Sequence, residues 1–494
     1  MPIDLGELAS SIGGSITHLG DRPVRVSGVS HNSEWISAGD VFVAIPGHVR
    51  DGHRYVPDAL ARGAVAVAGE GFAGQSDLPV PYLRVSRART ALADIATAVY
   101  GYPSAKLKVI GVTGTKGKTT TTWLVRHLLR VAGHKVGLLS TLGYKLDDEE
   151  LHQFPAHFTT PEAPQVQATL AWMVRRGCTH VVVEASSEAL AQHRLRGTHI
   201  DVAIWTNLAP EHLNFHGDME GYFAAKRILI DAAGFAVLNA ADPWAMRLTD
   251  RPHATYSGDQ AIAADWSARS LVEADDGLRF DVLSPVGVVR AGLPVIGVYN
   301  VANTLGAMAA VHRLGTSLPD IVKGLACFAG VPGRMQIVQE GPVRVILDFA
   351  HTPESLHNAL SSLRATTRRA LTVVLGSAGG PRDPSKRAPL GAVATDLADV
   401  AVFTEEDCRD TPIFDILNEM KRGADEQGSA NYVLIPDRVE ATDWALRQAR
   451  PGDTVVFCGK AGETTLERAH ETIPWDEETI VRQALARLDG TALD

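Results

Sequence analysis

The sequence predicts an α/β protein of three modules in series, with a glycine-punctuated strand–turn–helix inside the second. Three observations carry this. Apolar, strand-like runs alternate with amphipathic helical stretches through most of the chain, the pattern of mostly parallel sheets covered by helices. The length, 494 residues, exceeds one ordinary core, and Gly and Pro break the rhythm twice, in "YGYPSAKLK" (100–108) and "GVPGRMQIV" (330–338). The modules are therefore 1–103, 104–332 and 333–494. Finally, "VIGVTGTKGKTTTTWLVRHLL" (109–129) passes from an apolar strand through a glycine turn into a long helix.

In the first module, "GDVFVAIPG" (39–47) is a strand between glycines, and "ALARGAVAVAGE" (59–70) is a helix end, a stop at Gly63 and another strand. In the second, "KVIGVTG", "HVVVEAS", "DVAIWTNLA" and "FAVLNAADP" are buried parallel strands, and "LRFDVLSPVGVVRAGLPVIG" (278–297) adds antiparallel ones. The third repeats the rhythm with "VRVILDFAHTP", "ALTVVLGSAGG", "ADVAVFTEED", "NYVLIP" and "DTVVFCGKAGE".

Composition narrows the function. An apolar fraction of 45% and a charged fraction of 21% are those of a globular protein. Forty-seven basic against fifty-seven acidic residues, a formal charge of −10, argue against nucleic acid as the partner, though not against a local basic pocket. The start, "MPIDLGELASSIGG", has Asp4 and Glu7 and no basic n-region, so no secretion signal is expected. No apolar run reaches the roughly 18 residues of a membrane span. Four scattered cysteines without a CxxC suggest reduced thiols in the cytoplasm.

The 109–129 stretch is the most informative. Gly114 and Gly117 permit turns that aim backbone N–H groups inward, and the helix starting near Lys118 adds its positive dipole end. Lys118 can reach β- and γ-phosphates, and the Thr119 hydroxyl can hold Mg²⁺. The first glycine of the usual GxxxxGKT spacing falls on Val112, so the match is imperfect, but the strand–turn–helix context favours a nucleoside triphosphate over a turn with solvated lysines. Glu184 ends an apolar strand, where a doubly wound sheet places its ligand, yet many strands end in an acid. His212, His216 and Lys226 are either site residues or surface groups. Asn300 and Asn303 suit adenine and ribose edges or helix capping. The "GSAGGPRDPSKRAPLG" loop (376–391) is a carboxylate or phosphate clamp or a mobile loop.

Taken together, "SEWISAGDVFVAIPGHVRDGHRYVPDALARGA", "TGTKGKTT", "HFTTPE", "EASSEAL", "QHRLRG", "TNLAPEHLNFHGDMEGYFAAKRIL", "YNVANTLGA", "PGRM", "LDFAHTPESL" and "GKAGET" resemble, in order and over nearly the whole chain, the Mur ligases. Within them the likeness is to the enzymes that add the third residue of the peptidoglycan stem. The resemblance implies a UDP-binding N-terminal domain, a central P-loop ATPase and a C-terminal Rossmann-like domain. It implies ATP, Mg²⁺ and CO₂ as cofactors, the last carbamylating Lys226, and UDP-MurNAc-dipeptide and an amino acid as small-molecule partners of a monomer. It places Gly114, Thr115, Lys116, Gly117, Lys118, Thr119, Thr120, Asn300, Asn303, Arg334 and Asp348 around ATP, and Thr119, Glu184, His212 and carbamylated Lys226 at the metal, with Lys118, Glu184, His212 and Lys226 catalytic. Ser33, His48, Thr159, Thr160, Ser186, Gln192 and Arg194 face the UDP-substrate, and Arg387, Asp407, Arg409, Gly459 and Glu463 the incoming amino acid.

The chain departs from the family pattern in places. The usual "DSR" is Asn32, Ser33, Glu34; "SSH" is Ser186, Ser187, Glu188; "DHLD" is Glu211, His212, Leu213, Asn214; and "DNPR", the signature of the diaminopimelate-adding enzymes, is "EDCR", Glu406 to Arg409. A diamino acid is expected, since an acid such as Glu463 suits a cationic amine, but which one is open. Alternatives are a folylpolyglutamate-synthase-like ligase, against which the N-terminal module speaks, and a nucleotide-binding homologue without ligase activity, which the altered motifs keep open.

Overall fold

The computed structural model describes residues 2–17, 23–47, 51–71, 77–151, 158–274 and 276–488. The chain divides into two compact units, one of 1–268, 282–289 and 302–324, the other of 269–281, 290–301 and 325–494.

Beside the short antiparallel pair Ile3–Asp4 with Arg25–Val26, the first unit holds a five-stranded sheet and most of a larger one. The five-stranded one runs in the order Ser15–Ile16, Tyr82–Arg84, Ala66–Gly69, Asp40–Val43, Gly28–Ser30, parallel except at its first pair. Asp40–Val43 is the strand expected in "GDVFVAIPG", and the helix Val56–Ala61 stops just before Gly63, as expected. Its core, with Leu8, Val29, Val41, Leu83 and Ile95, is its own. Its helix Ala88–Val99 packs on the helix Ala163–Arg175 beside the larger sheet, flanked by two ion pairs, Arg89 with Glu162 at 3.2 Å and Arg196 with Asp94 at 2.8 Å.

In the larger sheet the parallel strands are ordered Val136–Ser140, His180–Glu184, Lys108–Thr113, Ile200–Trp205, Ala233–Asn239, His253–Ser257. Every expected strand of the second module is present. These runs are apolar on both faces because helices cover both. The helix Lys118–Val131 buries Leu124, Val125, Leu128 and Leu129, and the helix Ala163–Arg175 starts at a capping box between Glu162 and Gln165. Gly277–Ser284 and Gly287–Leu293 are strands within the stretch read as added strands. The central strand Lys108–Thr113 ends at the glycine turn, and its neighbours end at Glu184 and Trp205, so three strand termini open on one place.

The second unit has a six-stranded sheet ordered Gln336–Gln339, Arg344–Asp348, Thr454–Cys458, Leu371–Leu375, Val400–Phe403, Tyr432–Leu434, parallel except at its first pair. The stretch 330–338, read as a break, carries two positive-φ glycines, Gly330 and Gly333, and then becomes the antiparallel edge strand. A hairpin, Thr465–Arg468 with Glu471–Pro474, follows the last central strand.

Candidate functional site

The glycine turn is shaped for backbone approach. Gly117 has φ 82° and precedes the helix, and a side chain there would lie 2.3 Å from Asn303 Oδ1. Gly114, at φ 143°, leaves no room beside Thr206 Oγ1. The amide of Lys116 donates to Asn207 Oδ1 at 2.9 Å, and Lys118 Nζ to the Thr115 carbonyl at 2.8 Å, so the loop curls around its lysines at the positive end of a 14-residue helix. Thr120 is half-buried in the first turn. Lys116 pairs with Glu211 at 3.0 Å. Burial alone would raise the Glu211 carboxyl, but Lys116, Lys118 and His212 hold it down at about 2.

Thr119 Oγ1 donates to Glu184 Oε1 at 3.0 Å, and Thr141 binds the same carboxylate through its amide and its hydroxyl, both at 3.1 Å. Lys226 is 1% exposed. Its ammonium donates to the Gly114 carbonyl at 2.6 Å and lies 4.5 Å from the Tyr222 ring centroid. Burial, then Lys118, pushes its pKa well below the usual lysine range, against the pull of Glu211 and Glu184. His212 holds a left-handed backbone, φ 56°, with Nδ1 3.6 Å from Glu188 Oε1. Glu188 therefore faces His212. His216 instead stacks on Tyr222 and meets Ser187 Oγ at 2.9 Å. Among the described residues no three His, Cys, Asp or Glu side chains converge as a ready metal cage. Thr119 and Glu184 do offer adjacent oxygens, the donor type that suits Mg²⁺.

Five of the residues expected at the UDP-substrate, Thr159, Thr160, Ser186, Gln192 and Arg194, form one network beside Glu184. Thr159 Oγ1 meets Thr141 Oγ1 at 3.0 Å, and Thr160 Oγ1 donates to the Glu184 carbonyl at 2.7 Å. Arg194 donates to the Thr160 carbonyl at 2.9 Å and to Gln192 Oε1 at 3.0 Å, and pairs with Glu162 at 2.9 Å. Ser186 caps the helix Ser187–Ala191. Glu162 and Arg89 belong to this network and were missed as site residues, although Glu162 ends the "HFTTPE" motif. Ser33 is buried at the start of a short helical turn that Asn32 caps through Glu34 N. His48 lies outside the described residues.

Asn303 Oδ1 accepts from Thr121 Oγ1 at 3.4 Å. In the second unit, Asn300 Nδ2 donates to the Ile296 carbonyl at 2.8 Å. Asp348 accepts from the amides of Met335 and Ala350, at 2.8 and 2.9 Å, and burial pushes its carboxyl up despite Arg334. Arg334 covers the Phe349 ring at 4.0 Å.

The five residues expected at the amino acid also lie in this unit. Arg387 and Arg409 hold successive carbonyls of one loop, those of Ala378 and Gly379, each at 3.3 Å. Arg387 is buried and pairs with Glu419 at 3.2 Å. Arg409 is more open and pairs with Glu467 at 2.6 Å and Asp407 at 3.4 Å. Asp407 also binds the fully buried Lys460 at 2.7 Å, and Lys460 binds Glu463 in turn. Gly459 lies against Glu406, whose carboxylate a side chain there would meet at 2.7 Å. Glu406, unremarked in sequence except as a departure, has a buried Oε2 with no hydrogen-bond partner, and burial pushes its carboxyl up.

The Mur ligase family catalytic domain matches at 25–100, the Mur ligase middle domain at 112–311, and the Mur ligase glutamate ligase domain at 333–461. A protein of Deinococcus radiodurans, UDP-N-acetylmuramyl-tripeptide synthetase, is 58% identical over 466 residues, 94% of this chain and 95% of that one. The chain belongs to the Mur ligase family. A second Mur ligase, the UDP-N-acetylmuramoyl-L-alanyl-D-glutamate–2,6-diaminopimelate ligase of Geobacillus thermodenitrificans, is 38% identical over 97% of this chain and 99% of its own length. A solved structure of a ligase with that same name aligns with a TM-score of 0.70 at 28% identity, covering 99% of this chain and all of the other. The architecture is the three-domain one of Mur ligases. Among the described residues no helix is long and apolar enough to cross a membrane.

Proposed function

We propose that this chain is an ATP-dependent amide ligase that adds the third amino acid, a diamino acid, to UDP-MurNAc-L-Ala-D-Glu in peptidoglycan precursor synthesis. The observation that carries this is the convergence of a phosphate-binding turn, the Thr119–Glu184 contact and the buried Lys226 in one Mur ligase chain. An oxygen of the D-Glu carboxylate attacks the γ-phosphorus of ATP, ADP leaves, and an acyl phosphate forms. The amine of the amino acid attacks its carbonyl carbon, gives up a proton through a tetrahedral intermediate, and expels phosphate.

Lys118 and the turn's amides neutralise the phosphates. Asn300, Asn303, Arg334 and Asp348 serve the rest of the nucleotide. Thr119, Glu184, His212 and carbamylated Lys226 would hold Mg²⁺, which would supply positive charge against the phosphates. The depressed pKa of Lys226 supports the modification, because only a neutral amine adds to CO₂, releasing a proton and leaving an anionic carbamate. Arg194 and Thr160, with Thr159, Ser186 and Gln192, hold the peptidyl end of the UDP-substrate, and Ser33 and His48 its uridine end.

At the amino-acid site, Asp407, Glu463 and Glu467 outnumber Lys460 and Arg409, which favours a cationic side chain. Arg409 is the better placed carboxylate ligand, since Arg387 is already buried against Glu419. The three domains span 1–103, 104–332 and 333–494, and the enzyme works as a cytoplasmic monomer. The test is phosphate release from ATP and UDP-MurNAc-L-Ala-D-Glu with a panel of amino acids. Turnover with lysine, ornithine or diaminopimelate supports the reading. Preference for a neutral amino acid overturns the diamino assignment, and turnover only with a folate acceptor overturns the substrate.

A further inference from the structure

Two loops carry the residues assigned above to the amino acid: 405–409, after the strand Val400–Phe403, and 459–463, after the strand Thr454–Cys458. These strands are not neighbours, since Leu371–Leu375 lies between them. Each pairs with that common neighbour and not with the other, so the loops leave the sheet two strand spacings apart. Lys460 of the second loop pairs with Asp407 of the first at 2.7 Å near their tips, and one further side chain ties the two loops together at their roots. Arg438, fully buried, opens the helix Arg438–Gln448. Its Nη1 donates to the Glu405 carbonyl at 3.1 Å and its Nη2 to the Cys458 carbonyl at 2.8 Å, the first residue of one loop and the residue just before the other. Its Nε donates to both Glu477 oxygens, at 3.0 and 3.1 Å, so the guanidinium is neutralised and its plane is fixed. Glu477 is itself oriented by Trp475 Nε1 at 2.6 Å. The root of the first loop is held again from outside, where Arg468 grips the Glu405 carboxylate at 2.7 Å.

We propose that Arg438 is a positioning residue for the amino-acid half of the reaction, setting the distance between the two loops that hold the incoming amino acid; this rests on the site assignment above. Lysine cannot replace it. One ammonium has the charge, but not the planar fork that spans two carbonyls and a carboxylate.

The full chain, as Arg438→Lys, Glu477→Gln and Arg409→Met variants, is assayed with ATP, UDP-MurNAc-L-Ala-D-Glu and the best amino acid. In parallel, hydroxylamine replaces the amino acid. It attacks the acyl phosphate to give a hydroxamate and phosphate, and is too small to need the two loops. Arg438→Lys should raise the amino-acid KM at least tenfold, leave the KM values of ATP and the UDP-substrate within twofold, and leave the hydroxamate rate at the parent level. Should Arg438→Lys fail to fold, Glu477→Gln decides, with an expected rise of threefold or more in the same KM alone. An unchanged amino-acid KM, or a hydroxamate rate that falls in step with amide formation, overturns the proposal, the latter reducing Arg438 to a support of the fold. Arg409→Met separates the two levels. If it too leaves the amino-acid KM unchanged, the site assignment has failed; if it raises that KM and the Arg438 and Glu477 variants do not, only the positioning role has.

Discussion

Lys226 and Arg227 are adjacent and both basic, yet one is almost fully buried and the other partners Asp231 at the surface. Nothing in "AAKRIL" separates them, because burial is decided by which face of the helix Met219–Ala232 meets the sheet. Lys226 was assigned a role only through the family resemblance, whereas Lys118 was singled out by its turn alone. Three predictions belong at this scale. Lys118→Ala should abolish ATP turnover with all substrates present while the melting temperature stays within a few degrees, since a half-buried lysine leaves no cavity; turnover at the parent rate would refute the phosphate site. Lys226→Ala should lose activity, and short carboxylic acids should restore part of it by supplying the missing anionic oxygens; full activity of the alanine variant is the adverse result. Glu463→Gln should raise the KM for the diamino acid roughly tenfold to a hundredfold, as the loss of a charge-assisted bond of about 1.5–3 kcal/mol implies. Steady-state kinetics that show no change would remove Glu463 from the pocket.

Among elements, the strand His180–Glu184 joins chemistry at one end to a pH liability at the other. His180 packs on His134 with ring centroids 4.1 Å apart, and burial, then His134, holds its pKa down at about 4. The folded state thus resists protonation of this imidazole more than the unfolded chain does. Its share of stability is complete above pH 6.5, the unperturbed value, and is lost as the pH falls from there to about 4. That share is at most about 3 kcal/mol. Denaturant titrations of His180→Gln should show a flatter decline over this window than the parent; an equal slope would mean that the imidazole is no more resistant to protonation folded than unfolded. The strands themselves were readable because both faces are buried and the runs are apolar. Gln336–Gln339 escaped because it is four residues long, half polar, and set beside two glycines that resemble a linker.

For the molecule as a whole, the α/β class was legible from the alternation of apolar runs with helices and the three-domain architecture from the family resemblance, but the joining of the N-terminal stretch to the central one in one unit was not. That union uses the packing of the helix Ala88–Val99 on the helix Ala163–Arg175 and the ion pairs Arg89–Glu162 and Arg196–Asp94, whose two sides lie far apart in sequence and carry no local signal. All described residues assigned to the UDP-substrate fall within this first unit. Hydrogen exchange with UDP-MurNAc-L-Ala-D-Glu as sole ligand should therefore show protection at 159–160 and 186–194, and no comparable protection at 406–409; protection at the latter alone would reverse the assignment. The second unit has its own consequence. The 405–409 segment is stitched on both sides, to Arg438 inside and to Glu467 through Asp407 and Arg409 outside. A point substitution within it exchanges a side chain at the price of a stitch. Retargeting the enzyme to another amino acid is thus a task for transplantation: the 405–409 segment, the 459–463 turn and the hairpin that follows would have to be moved together from a donor of the desired selectivity, with Arg438 left in place to receive them.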